Sequence, residues 1–79
     1  LVNRTLVHPR EVFADALADR AVAIICAHNH PSGKVEPSAE DDAVTRSLQE
    51  AGDVVGIRLL DHIVFSGRDH YSFIENDRL

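Results

Sequence analysis

The sequence predicts an α/β domain: a mixed β-sheet flanked by two helices. An unbroken apolar run of strand length, Ala21-Val22-Ala23-Ile24-Ile25-Cys26-Ala27, stands between two stretches whose apolar residues recur at helical spacing. Two further segments, Ile57 to Ser66 and His70 to Ile74, read as strands separated by the turn Gly67-Arg68-Asp69. With Thr5-Leu6-Val7 as the tail of a possible first strand, the order is (β)-α-β-α-β-β.

Taken in order, His8-Pro9 marks the first boundary, because proline fits the first helical position. From Arg10 to Arg20, Val12, Phe13, Ala16 and Leu17 fall on one stripe, and Glu11 sits in the first turn, where the helix dipole favours an acid. The run 21–27 has the continuous hydrophobicity expected of a strand buried on both faces. Pro31, Ser32, Gly33 and Pro37 make 29–37 a loop. A second helix starts at Ser38, with Asp41 three residues later as in a capping box, and carries Val44, Leu48, Ala51 and Val55 on one face. Gly52 or Gly56 ends it. In the strand 57–66, alternation puts Leu59, Ile63 and Phe65 on one side and Leu60, His62 and Val64 on the other. Its partner, 70–74, completes a hairpin. The tail 75–79 is polar up to Leu79.

Seventy-nine residues (1–79) make one small domain, with a core that wants a metal, a partner or more chain. A hydrophobic fraction of 44% with 27% charged residues is that of a soluble globular protein. The net charge of −5, with eight scattered Lys and Arg, argues against direct nucleic-acid binding. One cysteine excludes an internal disulfide and fits a reducing, cytoplasmic compartment. No apolar run approaches the roughly 18 residues of a membrane span, and Leu1-Val2-Asn3-Arg4 does not open a signal peptide. The absence of any Met suggests a piece of a longer chain.

Chemistry concentrates between Cys26 and Asp41. Residues two apart on a strand point the same way, so His28 and His30 can present two imidazoles to one point. Asp41, in the first helical turn, can bring a carboxylate to the same point. Two nitrogens and an oxygen, with one position left for water, are the ligand count of a catalytic zinc site. Zinc there can bring the pKa of water down to about 7. The Ser38 hydroxyl can cap the helix or donate to an oxyanion beside the metal.

The spacing His28-x-His30, seven residues, Ser38, two residues, Asp41 resembles the JAMM motif of the JAB/MPN+ metallopeptidases. Val7-His8-Pro9-Arg10-Glu11-Val12-Phe13, Ala27-His28-Asn29-His30-Pro31-Ser32-Gly33, Gly56-Ile57-Arg58-Leu59-Leu60-Asp61-His62 and Tyr71-Ser72-Phe73 resemble the RadC-like branch of that superfamily. The resemblance implies the C-terminal part of an MPN domain with a cytidine-deaminase-like α/β fold. It also implies zinc on His28, His30 and Asp41, and Ser38 supporting a tetrahedral intermediate. A peptide or protein would be the substrate, its peptide or isopeptide bond cleaved by a metal-activated water. Active relatives take their general base from a glutamate on a strand before the first helix. Residues 1–7 hold no acid, and Glu11 belongs to the helix pattern. The alternative is a non-catalytic metal-binding scaffold or an adaptor associated with DNA repair. The family's sheet begins with strands that are not evident here, so an exposed edge able to pair two copies as a homo-oligomer is expected.

Several other residues have two readings. Cys26 can be a soft fourth ligand or a buried small residue. His62, after Asp61, can orient a metal ligand from behind or simply be a buried, hydrogen-bonded histidine. Asp42 replaces Asp41 if the helix starts one residue later. His8 is a helix-entry residue, His70 an exposed strand start, and Lys34 and Arg46 can meet an acidic substrate or, more simply, sit in solvent.

Overall fold

Two helices and three strands follow one another in the computed structural model, which describes residues 9–79: α1 (Pro9–Ala18), β1 (Ala23–Asn29), α2 (Ala39–Val55), β2 (Arg58–Phe65) and β3 (His70–Ser72). The sheet is mixed, in the order β1-β2-β3. β1 and β2 run parallel and β3 returns antiparallel, with Phe65 opposite His70 and Ile63 opposite Ser72. Parallel neighbours need a long crossover, which α2 supplies. Thr5 to Val7 and His8 lie outside the described residues.

Two caps fix the crossover. Ser38 accepts from the Asp41 backbone N–H while the Asp41 carboxylate accepts from the Ser38 N–H, a complete capping box with Asp in place of Glu. At the other end Gly56, not Gly52, takes the left-handed conformation, with φ 78°. Phe13 and Ala16 of α1, Leu48 of α2, and Ile57 and Leu59 form one core cluster, joined at its margin by Ile24, Cys26, Val44 and Ala51.

Four expectations are corrected. β1 is not buried on both faces: Ile24, Cys26 and His28 are half-buried, while Ile25, 59% exposed, points away. Both helices feed the one cluster, and among the described residues no helix covers the opposite face. Leu17 and Val55 drop out of their predicted stripes and are exposed. The side of α2 that turns inward is Asp41, Thr45, Leu48 and Gly52, rotated from the most apolar face toward the histidines.

The third correction concerns β2. Ile24 lies opposite Leu59 and Ile25 opposite Asp61, so Leu60 is skipped as a β-bulge. Strict alternation fails there. Leu59, His62 and Val64 lie opposite Ile24, Cys26 and His28 on the helix-covered side, and Asp61, Ile63 and Phe65 take the other. The bulge thereby brings a core leucine and a histidine onto the same face. β3 ends at Ser72, two residues earlier than expected, because the chain turns there and Arg78 N–H donates to Phe73 O at 2.9 Å.

Candidate metal centre

The end of β1, the loop after it and the first turn of α2 converge on one point. His28 and His30 share a side through the period of the strand, which continues past Asn29: His30 N–H donates to Phe65 O at 2.8 Å. Asp41 is turned inward by the capping box, with its Oδ2 accepting from the Ser38 N–H at 2.8 Å. The ligand atoms of His28, His30 and Asp41 all lie within 4.8 Å of one another. His28 Nε2 stands 2.9 Å from His30 Nε2 and 3.0 Å from Asp41 Oδ1, and His30 Nε2 stands 3.2 Å from Asp41 Oδ2.

The donor set fits a cation. His30 Nδ1 faces the Lys34 carbonyl at 2.9 Å, and a carbonyl only accepts. The neutral ring therefore carries its proton on Nδ1 and aims the Nε2 lone pair at a carboxylate. In that state acceptor faces acceptor, an arrangement that a cation between them satisfies. Ligands about 2.1 Å from a tetrahedral ion stand roughly 3.4 Å apart, close to the separations seen here.

Electrostatics favour the ligating protonation states. Burial pushes His28 down, against the pull of the Asp41 charge, and His30 adds to the lowering. Burial alone would raise Asp41, but the Ser38 N–H and hydroxyl, with His28 and His30, hold its carboxyl below the usual range. Neutral imidazoles and an ionised carboxylate are what metal binding requires.

Behind His28 lies His62, whose Nε2 is 2.8 Å from His28 Nδ1. Its Nδ1 is hydrogen-bonded to Thr45 Oγ1, which in turn donates to the Asp41 backbone carbonyl at 2.9 Å. The ring stacks on Phe73, centroids 4.7 Å apart and planes 13° apart. Burial, then the neighbouring His28, pushes the His62 pKa down to about 4.

The remaining candidates sort clearly. Among the described residues the ligand cluster is His28, His30 and Asp41, without Cys26, whose thiol is pushed up by burial beside the core. Asp42 pairs instead with Arg78 Nη2 at 2.6 Å. Glu11 is exposed on α1 and outside the cluster. His70 is exposed at the start of β3. Ser38 caps α2 beside the cluster and remains exposed. Arg46 and the Lys34 side chain are exposed, but the Lys34 carbonyl holds His30. Sequence reasoning missed that carbonyl, which no side-chain pattern announces. It also missed Thr45, for which the i+4 spacing from Asp41 was an available signal.

No helix among the described residues is long and apolar enough to cross a membrane. The family model for the RadC-like JAB domain matches residues 1–79. A UPF0758 protein of Methanospirillum hungatei is 67% identical over 66 residues, which cover 84% of this chain and 29% of that protein. One from Pelobacter propionicus is 51% identical over 74 residues, 94% of this chain and 32% of its own length. One from Thermotoga maritima is 44% identical over 77 residues, 98% of this chain and 35% of its own. The chain thus spans about a third of the length of the curated relatives it matches. With an α/β fold, a His-His-Asp cluster able to bind a metal ion and a match along all of its residues, the chain belongs to the RadC-like JAB domain family.

Proposed function

We propose that His28, His30 and Asp41 hold zinc and that the site hydrolyses a peptide or isopeptide bond in a peptide or protein substrate. The observation that carries this reading is the convergence of two imidazole Nε2 atoms and a carboxylate on one point at the end of a strand. When bound there, zinc supplies a Lewis acid that activates water for hydrolysis. The chain's own part is to favour the neutral His28 imidazole by burial, to hold Asp41 ionised through the Ser38 N–H, and to present Ser38. The Ser38 oxygen accepts the Asp41 N–H at 3.1 Å, and its hydroxyl proton, which otherwise supports the Asp41 carboxylate, can swing to an oxyanion developing beside the cluster.

Zinc content of the purified protein and cleavage of peptide and isopeptide substrates test this reading, with His28→Ala and His30→Ala as controls. Stoichiometric zinc, and cleavage lost in both variants, is expected. A wild type that carries no zinc and binds none at micromolar concentration refutes it. Among the described residues Asp41 is the one acid of the cluster and is used as a ligand. That favours, as a second reading, a scaffold that binds metal without turnover, which zinc binding with no cleavage would support.

A further inference from the structure

Proton positions behind His28 can be read from a group that has no choice. The Asp41 backbone carbonyl only accepts, so the Thr45 hydroxyl spends its single proton on it. The contact between Thr45 Oγ1 and His62 Nδ1 must then be donated by the imidazole. A neutral His62 with its proton on Nδ1 has a lone pair on Nε2, which faces His28 Nδ1 at 2.8 Å. His28 therefore donates from Nδ1 and keeps its Nε2 lone pair toward His30 and Asp41. Each step follows from counting protons, and the sequence of donors begins and ends at Asp41: its carbonyl orients His28 through two buried side chains, and its carboxylate meets His28 Nε2 at 3.0 Å.

His62 is well held for this task. It is 3% exposed and stacks on Phe73. Its backbone N–H donates to Asp61 Oδ1 at 2.7 Å, and its carbonyl accepts from Phe73 N–H at 3.0 Å. The bulge at Leu60 sets it on the inner face opposite Cys26, two residues before His28. A partner that fixes the tautomer and ring orientation of a ligating histidine raises metal affinity without touching the metal.

We propose that His62 and Thr45 are positioning residues for His28, locking its Nδ1–H tautomer and aiming Nε2 into the metal centre. This rests on the metal-binding reading above, and the experiment separates the two. Zinc affinity is measured by competition with a chelating indicator for wild type, His62→Leu, His62→Gln, Thr45→Val and Thr45→Ser. The His28 tautomer is read in the metal-free wild type from long-range 15N–1H correlations. The expected result is a pyrrole-type Nδ1 and a pyridine-type Nε2 on His28. A 10–100-fold weaker zinc Kd is expected for His62→Leu and Thr45→Val. His62→Gln, whose amide oxygen can accept from His28 Nδ1, and Thr45→Ser, which keeps the hydroxyl, should recover most of the loss. A His28 protonated on Nε2, or unchanged zinc affinity in folded His62→Leu and Thr45→Val, overturns the proposal. If His62→Leu does not fold, the Thr45 pair and the wild-type tautomer still decide. A wild type that binds no zinc sinks the metal reading instead and leaves the tautomer measurement to judge the wiring.

Discussion

Ser38 and Asp41 satisfy each other's backbone: the Asp41 N–H donates to Ser38 Oγ at 3.1 Å, and the Ser38 N–H donates to Asp41 Oδ2 at 2.8 Å. One reciprocal pair thus starts the crossover helix and aims a carboxylate at two histidines. The two jobs of Ser38 can be parted by measurement. Ser38→Ala removes one acceptor, and its expected cost in denaturant unfolding is about 1 kcal/mol. Zinc affinity should change little, since Asp41 keeps the Ser38 N–H. If Ser38 also donates to an oxyanion, kcat should fall by about 10²–10³. A kcat loss no larger than the loss of folded protein would leave Ser38 as a cap alone.

Asp61, in the middle of β2, organises the chain that leaves β3. Its carboxylate accepts from the His62 N–H at 2.7 Å, from Ser72 Oγ at 2.5 Å and from the Ile74 N–H at 3.0 Å. Burial would raise its pKa, but these donors outweigh it and the carboxyl sits below the usual range. The carboxylate thus ties His62 to the chain leaving β3. Asp61→Ala leaves donors unpaired, at about 1–3 kcal/mol each where they stay dry. Unfolding in urea should show a loss of at least about 2 kcal/mol, and Asp61→Asn, which keeps one acceptor oxygen, a smaller one. Equal midpoints for wild type and Asp61→Ala would show that the network contributes nothing.

How much of the centre was legible depends on how local the information is. His28 and His30 are tied by strand period and Asp41 by a capping box, so short spacings announced all three. His62 reaches His28 through parallel pairing 34 residues away, in a register displaced by a bulge that alternation cannot see. Apolar spacing misplaces the inner face of α2, because Asp41 and Thr45 are buried there as hydrogen-bonded members of the site. The run 21–27 looked buried on both sides because apolar composition records what a strand tolerates, not what covers it.

Gly52 marks a close approach rather than the end of the helix. A Cβ there would lie 2.3 Å from Ile57 O and 3.4 Å from Phe13 Cζ. The first contact is with backbone, so the segment carrying Ile57 must move. Alanine normally gains about 1 kcal/mol over glycine inside a helix. Here the clash should win, with a net loss of about 1–3 kcal/mol in unfolding experiments on Gly52→Ala. A stabilised Gly52→Ala would mean that α2 and the Ile57 segment do not approach this closely.

Acid should weaken the metal-free protein before Asp41 and Asp61 titrate. His62 is neutral when folded, with a pKa of about 4, and meets His28 from β1, His30 just after it, Asp41 from α2 and Asp61 beside it. Unfolded, it takes up a proton near pH 6.5. Between those values the unfolded state binds more protons, so stability rises with pH. The contribution is fully present above about pH 6.5 and is lost as pH falls toward 4, up to about 3 kcal/mol. The lowered His28 adds in the same direction. Asp41 and Asp61, both held below their ordinary range, add a further loss at lower pH, starting near about 3.9. Urea midpoints of the metal-free protein at pH 7, 6 and 5 should therefore fall steadily. His62→Gln, with nothing to protonate at that position, should show a shallower slope over the same interval. An identical slope in the two proteins would place the acid sensitivity elsewhere than at His62.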